Sequence, residues 1–198
     1  MPTVVVPFRS SDPKSRLRGI SHDDRELLAR AMLADVLAAA EPVGPLLVVA
    51  ADGATLPASA RLVADPGRGQ GAAVKAGLDA AVAAGLPTPF LVVNADLPCA
   101  RTRDLLALAG SVPDRGLALV AAEDGTTNAL ALADGSFFQP VYGPGSAERF
   151  AALGASRSFD APNLADDVDT IADLTRLRGR LGEHTRRVLA ALRLETAA

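Results

Sequence analysis

Short apolar runs alternate with longer helical patterns along most of this 198-residue chain. Runs rich in valine, leucine and alanine predict buried strands, and they lie at Thr3–Val6, Leu46–Ala50, Arg61–Ala64, Phe90–Val93 and Leu117–Ala121. Between several of these runs stand segments with the apolar spacing of a helix. Strands that alternate with helices predict βαβ units. We therefore expect a single α/β domain, with a mostly parallel twisted sheet flanked by helices.

Capping signals mark where several helices begin and end. Ser21 precedes an apolar stripe and is followed by Asp24, which is close to a capping box. The helix after the glycine-rich loop has Gly85 just beyond its end. Further helices are predicted at Thr102–Ala109, from Ser146, and near Glu183–Leu194.

Composition excludes several classes of function. The net charge is −3, whereas nucleic-acid-binding proteins are usually basic, so no nucleic-acid partner is expected. No apolar run approaches the roughly 18 residues of a membrane span, and the first residues lack a signal-peptide pattern. The single cysteine, Cys99, cannot form an internal disulfide. We expect a cytoplasmic protein without a membrane partner, in which Cys99 is a packing residue rather than a catalytic thiol.

The stretch LVVNADLPCA places Asp96 directly after a buried strand. Ligands of such sheets bind at the carboxyl ends of the strands. Mg²⁺ would neutralise this carboxylate and hold phosphate oxygens, but it needs a second acid. The motif DDVDTIADL offers Asp166, Asp167 and Asp169, of which the last two point the same way if the segment is extended. The alternative is that Asp169 or Thr170 caps the following helix.

A basic loop follows the first strand. In RSSDPKSRL, the side chains of Arg9, Lys14 and Arg16 could offset the charge of a polyphosphate. A solvated basic loop would have the same composition, so both interpretations stay open on these residues alone.

A glycine-rich loop, DPGRGQG, precedes the second predicted helix. Gly67, Gly69 and Gly71 let the backbone approach a flat or anionic ligand, and the positive end of the helix dipole faces the same place. The alternative is a strand–helix turn that needs only flexibility.

Two further motifs, DGTTNALAL and YGPGSAERF, are predicted to be loops of small residues with hydroxyls and exposed amides. Such loops suit an anionic small molecule. Ser146 would also be a natural N-cap, and an anion could bind at that helix start, with Arg149 as a second cation. Binding and structural roles both remain open here.

In their order, PKSRL, the glycine-rich loop, ADLP, TTNALAL, YGPGSAERF and DVDTIADL resemble the 2-phospho-L-lactate and phosphoenolpyruvate guanylyltransferases of coenzyme F-420 biosynthesis. More broadly, the chain resembles MobA-like nucleotidyltransferases of the glycosyltransferase-A type, over about residues 3–175. The resemblance implies that fold and the transfer of GMP from GTP to phosphoenolpyruvate or 2-phospho-L-lactate. It also implies Mg²⁺ as cofactor and pyrophosphate as the second product.

The resemblance assigns roles to individual residues. Catalysis would use Lys14, Arg16 and Asp96, of which the first two bind GTP phosphates. The metal would be held by Asp96 with Asp167 or Asp169. The nucleotide would also lie against Gly67, Gly69, Gly71, Ala73 and Lys75, with Ala73 where the family segment GLNAA carries asparagine. The acceptor would be held by Thr127, Gly143 and Ser146.

Two alternatives remain, of which one is another enzyme and one is a non-catalytic module. A MobA-like molybdenum-cofactor cytidylyl- or guanylyltransferase usually opens with a glycine-rich LAGG.S.R loop, whereas this chain has no glycine before Gly19. A non-catalytic nucleotide-binding module of the same fold would not need carboxylates at two places in the sequence.

Overall fold

A computed structural model describes residues 1–9, 17, 19–51 and 56–193 of the chain. Within these residues, one sheet has the strand order β3-β2-β1-β4-β6-β5-β7. The strands are β1 (Thr3–Pro7), β2 (Leu46–Ala50), β3 (Ala60–Ala64), β4 (Phe90–Val93), β5 (Leu117–Ala121), β6 (Thr127–Leu132) and β7 (Ser156–Ser158). The helices are α1 (His22–Ala40), α2 (Gln70–Ala83), α3 (Thr102–Ser111), α4 (Ser146–Ala151), α5 (Pro162–Ala165), α6 (Ile171–Leu177) and α7 (Glu183–Ala191). None of these helices is both long and apolar enough to cross a membrane.

The sheet is mostly parallel, as the alternating pattern predicts. β1 pairs in parallel with β2 and β4, β2 with β3, and β5 with β7. β6 pairs antiparallel with both of its neighbours, β4 and β5. This reversal places the first residues of β6, rather than its last, beside the carboxyl end of β4.

β6 corrects the prediction of a loop across DGTTNALAL, because Thr127–Leu132 is a strand that is buried throughout. Alanine is depleted in strands, so the sequence of β6 is only weakly typical of a strand. Burial between two neighbouring strands makes it one. The edge strand β7 is only three residues long and polar, and it has no strand signal in the sequence.

Helices cover both faces of the sheet. Along β1, Val4 and Val6 join the core on the side of α1, α3 and α7, whereas Val5 joins the core on the side of α2 and α4. This is the two-residue alternation of a strand. α2 approaches so closely that a Cβ at Gly77 would lie 2.4 Å from Val5 Cγ1. The glycine therefore sets the distance between α2 and the sheet.

The caps of three helices test the sequence predictions. Ser21 caps α1 and accepts a hydrogen bond from the Asp24 backbone N–H at 3.1 Å, as predicted. Gly85 follows α2 with φ of +62°, which confirms it as the residue beyond the helix end. The N-cap of α4 is Gly145, with φ of +69°. The prediction that Ser146 is the N-cap is therefore wrong, since Ser146 is the first helical residue.

A carboxylate on α1 caps α7. Asp35 is only 6% exposed and accepts hydrogen bonds from the backbone N–H groups of His184 and Thr185, both at 2.9 Å. A negative charge at a helix start is favourable because the first N–H groups lack partners within the helix. A Cβ at Gly182 would lie 2.2 Å from Asp35 Cγ, so the chain passes directly over the carboxylate. This contact fixes α7 against α1.

We expect Asp35→Ala to lower the free energy of unfolding by about 2 kcal/mol, because two N–H groups lose a charged acceptor. Urea unfolding followed by circular dichroism measures the change. Asp23→Ala, at an exposed position of the same helix, is the control and should cost less than about 1 kcal/mol. Equal losses in the two variants would show that the cap has no special contribution.

Candidate functional site

Three aspartates meet beside the carboxyl end of β4. Asp96 follows that strand, and Asp167 and Asp169 lie in the segment between α5 and α6. One carboxylate oxygen from each lies within 4.8 Å of the other two. The Val168 backbone N–H donates to the Asp96 backbone carbonyl at 3.1 Å, and the Val168 side chain is buried. This anchor at the middle residue brings both flanking aspartates to Asp96.

The donors of this aspartate cluster fit a small, hard cation. Mg²⁺ prefers oxygen ligands at about 2.1 Å in an octahedron, which separates ligand atoms by about 3.0–4.2 Å. The oxygens of the cluster lie within 4.8 Å of one another, close to that spacing. All three residues are partly exposed, so phosphate oxygens or water could complete the shell. Asp96, Asp167 and Asp169 could together hold one divalent cation.

The helix after the aspartate cluster, α6, is capped by Thr170 and not by Asp169. Thr170 is the N-cap of α6, and its side chain and that of Asp173 form a capping box. Thr170 Oγ1 accepts from the Asp173 N–H at 3.3 Å. Thr170 rather than Asp169 therefore takes the capping role, which leaves the Asp169 carboxylate in the cluster.

Two arginines hold the residue just before the cluster. Asp166 accepts hydrogen bonds from Arg176 and Arg180. Burial opposes the ionisation of Asp166, but the hydrogen bonds and charges of the two guanidinium groups outweigh it and lower its pKa. The ion pairs fix the start of the acidic segment.

A cavity of about 720 Å³ opens at the glycine-rich loop in front of α2. Its lining includes Gly69, Gly71 and Lys75 from the predicted nucleotide-binding set, together with Arg68 and Gln70. The volume is that of a small-molecule site. Gly69 is the N-cap of α2 with φ of +96°, a conformation that favours glycine. The start of α2 therefore faces the cavity and favours an anion there.

Two residues of the predicted nucleotide-binding set, Gly67 and Ala73, do not line this cavity. Gly67 forms a turn in front of the cavity, where its N–H donates to Asp65 Oδ1 at 2.8 Å. Ala73 is 3% exposed and packs in the core beneath α2. The Ala73 side chain therefore faces the sheet, and the predicted nucleotide contact at this position stays a prediction.

Of the basic residues predicted to bind the nucleotide, the structure describes Lys75. Lys75 Nζ lies 2.5 Å from Asp79 Oδ1, one helical turn away, so its charge is balanced on α2. Lys14 and Arg16 lie outside the described residues, and their predicted contact with phosphates stays a prediction.

The three predicted acceptor residues lie together. Thr127 opens β6 and Ser146 opens α4, and their hydroxyl oxygens are 3.0 Å apart. Both residues are buried. The Ser146 N–H donates to the Gly143 carbonyl at 2.9 Å, and Gly143 also lines the cavity. A hydroxyl pair therefore stands beside the cavity wall.

Arg149 has a structural role in the same loop. Its guanidinium donates to the backbone carbonyls of Val141 at 3.0 Å, Pro144 at 2.7 Å and Tyr142 at 3.3 Å. Burial raises the pKa of the Tyr142 phenol, which stays neutral. Arg149 thus holds the 141–144 loop, and its role as a second cation for the acceptor stays a prediction.

Three amide side chains at the site were not singled out by the sequence. Gln70 Nε2 donates to Asn94 Oδ1 at 2.7 Å, and Asn128 Nδ2 lies 3.3 Å from Asp167 Oδ1. The sequence feature that could have pointed to Asn94 and Asn128 is their position, each at one end of an apolar run. Without the antiparallel pairing of β4 and β6, nothing links these two residues.

Two solved structures of similar architecture are named as transferases of nucleotide groups or nucleotide-diphospho-sugars. A protein from Desulfovibrio desulfuricans, named for the nucleotide-diphospho-sugar transferases, aligns with a TM-score of 0.75 and 19% identity, covering 98% of this chain and 94% of that one. The 2-C-methyl-D-erythritol 4-phosphate cytidylyltransferase of Thermus thermophilus aligns with a TM-score of 0.56 and 15% identity, covering 90% and 98%. At these identities the likeness shows the fold, which is nucleotidyltransferase-like.

Sequence comparison identifies the family. Residues 2–196 match the family described as guanylyl transferase, CofC like. The phosphoenolpyruvate guanylyltransferase of Sphaerobacter thermophilus is 36% identical over 190 residues, which cover 88% of this chain and 91% of the relative. The 2-phospho-L-lactate guanylyltransferase of Methanosphaerula palustris is 32% identical over 189 residues, covering 89% and 83%. The chain therefore belongs to the CofC-like guanylyl transferase family, and it is a nucleotidyltransferase.

We expect Asp166→Asn to flatten the acid limb of the stability profile. The pKa of Asp166 is lowered from 3.8 in the folded protein, so on acidification the unfolded chain takes up this proton first. The stabilisation is complete above about pH 5 and is lost as the pH falls through 4 toward the folded pKa. Urea titrations between about pH 7 and pH 3 measure the profile. Identical slopes in the wild type and the variant would contradict this role of the ion pairs.

Proposed function

We propose that this protein transfers GMP from GTP to phosphoenolpyruvate or 2-phospho-L-lactate, with release of pyrophosphate. The reaction uses Mg²⁺ and serves coenzyme F-420 biosynthesis in the cytoplasm. The two relatives described above are named for these two acids. The observation that carries the proposal is the aspartate cluster, which side-chain amide contacts connect to a cavity of about 720 Å³. Such a cluster is suited to a cation that neutralises the phosphates of a bound nucleotide.

The reaction needs positioning and charge neutralisation more than a protein nucleophile. An oxygen of the acceptor phosphate attacks the α-phosphorus of GTP, and a new P–O bond forms while the bond to the bridging oxygen of pyrophosphate breaks. The attacking oxygen is already anionic, so no base has to remove a proton. Cys99 fits a packing role, because it is fully buried and burial raises the pKa of its thiol.

Different residues would bind the metal, the phosphates of GTP and the rest of the nucleotide. Mg²⁺ bound by Asp96, Asp167 and Asp169 would neutralise charge on the transferred phosphoryl group and on pyrophosphate. Lys14 and Arg16 would bind the phosphates of GTP. The glycine-rich loop and the start of α2 would face the nucleotide across the cavity.

The acceptor would be held where Gly143 reaches the cavity. The hydroxyls of Thr127 and Ser146 and the backbone at Gly143 supply hydrogen-bond donors without a charge of their own. They suit the phosphate of a three-carbon acid, whose oxygen must reach the α-phosphorus.

The molybdenum-cofactor alternative is not favoured. Relatives that match most of the chain are named for guanylyl transfer with phosphoenolpyruvate or 2-phospho-L-lactate. A non-catalytic module is not favoured either, because the family is one of guanylyl transferases.

A matrix of substrates tests the proposal. The purified protein is incubated with Mg²⁺, each of the four common nucleoside triphosphates, and phosphoenolpyruvate, 2-phospho-L-lactate or phosphoglycerate. We expect pyrophosphate and a guanylylated acid with GTP and one or both of the first two acids, and a stop on chelation of the metal. Turnover with CTP alone, or with none of the acids, would refute the proposal.

We expect Asp96→Asn to lower turnover by about 100-fold or more while the protein stays folded, because one lost electrostatic contact in a transition state has this scale. Pyrophosphate release at saturating Mg²⁺ measures it. Asp114→Asn, at an exposed position before β5, should keep wild-type turnover. Near-normal activity of the Asp96 variant would remove Asp96 from the chemistry.

We expect Ser146→Ala to raise the KM for the acceptor by roughly threefold to tenfold, since one hydrogen bond contributes about 1 kcal/mol, and to leave the KM for GTP unchanged. Initial rates with each substrate varied separately measure both constants. Ser156→Ala removes an exposed hydroxyl that bonds to the Ala151 carbonyl, at the other end of α4, and is the control. A lower melting temperature with an unchanged acceptor KM would show that Ser146 only supports packing with Thr127.

A further inference from the structure

Three side-chain amides link the nucleotide cavity to the aspartate cluster. Gln70 Nε2 donates to Asn94 Oδ1 at 2.7 Å. Asn94 Nδ2 donates to the Thr127 carbonyl at 3.2 Å and lies 3.5 Å from Asn128 Oδ1. Asn128 Nδ2 in turn lies 3.3 Å from Asp167 Oδ1. This amide line crosses the edge of the sheet from the start of α2, past the ends of β4 and β6, to the acidic segment.

The neighbours of Asn128 fix the orientation of its amide. Nδ2 lies 3.0 Å from the Ala165 carbonyl oxygen and 3.3 Å from the Asp167 carboxylate. Both neighbours only accept hydrogen bonds, so the nitrogen must face them and the amide oxygen must face Asn94. Asn128 is 2% exposed, and a buried amide loses free energy without its partners. It therefore holds residues 165–167 in one position.

The acidic segment, residues 166–169, is held in place by contacts with other parts of the chain. Residues 166–169 have no helix or strand of their own. The backbone of the segment is anchored through Val168 and Asp96. The Asn128 amide acts on the Asp167 side chain itself, where its hydrogen bond fixes one carboxylate oxygen.

We infer that Asn128 is a positioning residue of the metal site, which orients the Asp167 carboxylate toward Asp96. The inference rests on the proposed function, because it takes the aspartate cluster as a site for a divalent cation. Residues that orient metal ligands commonly change metal affinity by about 10- to 100-fold when they are replaced. Through Asn94 and Gln70, the same support reaches the wall of the nucleotide cavity.

Binding of Mn²⁺ in the absence of nucleotide, followed by electron paramagnetic resonance, tests the inference directly. Asn128→Ser removes both donated hydrogen bonds, and Asn128→Asp keeps the shape but turns a carboxylate toward Asp167. We expect the Mn²⁺ dissociation constant to rise about tenfold in the first variant and further in the second. A residue that only stabilises the fold would lower the melting temperature without this change.

Asn163→Ser is the matched control. Asn163 also ties the region of α5 to its neighbours, but it donates to Asp104 at 2.9 Å and accepts from Arg180 at 3.2 Å. We expect its Mn²⁺ dissociation constant to stay within about twofold of the wild type, since those partners lie outside the aspartate cluster.

Asp96→Asn separates this inference from the proposed function. Loss of Mn²⁺ binding in that variant would support the metal site, whereas a wild type that binds no Mn²⁺ would refute the site and the inference together. If the wild type binds Mn²⁺ and a folded Asn128 variant binds it equally well, the positioning role alone is overturned. Failure of every Asn128 variant to fold would also overturn it, in favour of a purely structural role.

Discussion

Three carboxylate groups are held at the carboxyl edge of the sheet with oxygens within 4.8 Å of one another, and the site depends on how they are held. Two unit charges 4 Å apart repel by about 1 kcal/mol in water and about 4 kcal/mol at an effective dielectric constant of 20. The Val168–Asp96 backbone bond and the arginine contacts of Asp166 oppose this repulsion. A divalent cation would remove it, so the geometry that is costly for the protein by itself favours metal binding.

The reversed direction of β6 brings the parts of the site together. Its first residues, Thr127 and Asn128, stand beside the end of β4, where a parallel strand would present its last ones. The Thr127 hydroxyl then meets Ser146 on one side, and the Asn128 amide meets Asp167 on the other. In the proposed function, this single strand start separates the acceptor from the metal and keeps both near the nucleotide cavity.

The sequence could predict features that depend on local chemistry. The strand before Asp96 is a continuous apolar run, and the cap at Ser21 and the turn at Gly85 follow from side-chain and backbone preferences of single residues. The features that it could not predict depend on distant contacts. β6 is a strand because two neighbours bury it, although its alanines favour a helix. The burial of Ala73 depends on which face of α2 meets the sheet.

The most direct test of the central claim is the position of a cation in crystals grown with Mn²⁺ and GTP. An anomalous difference map locates Mn²⁺ without reference to the protein atoms. We expect a peak that contacts carboxylate oxygens of Asp96, Asp167 and Asp169 at about 2.0–2.3 Å, the range for small divalent cations on oxygen ligands. A cation that contacts none of these aspartates, with GTP bound in the cavity, would contradict a metal site at the aspartate cluster.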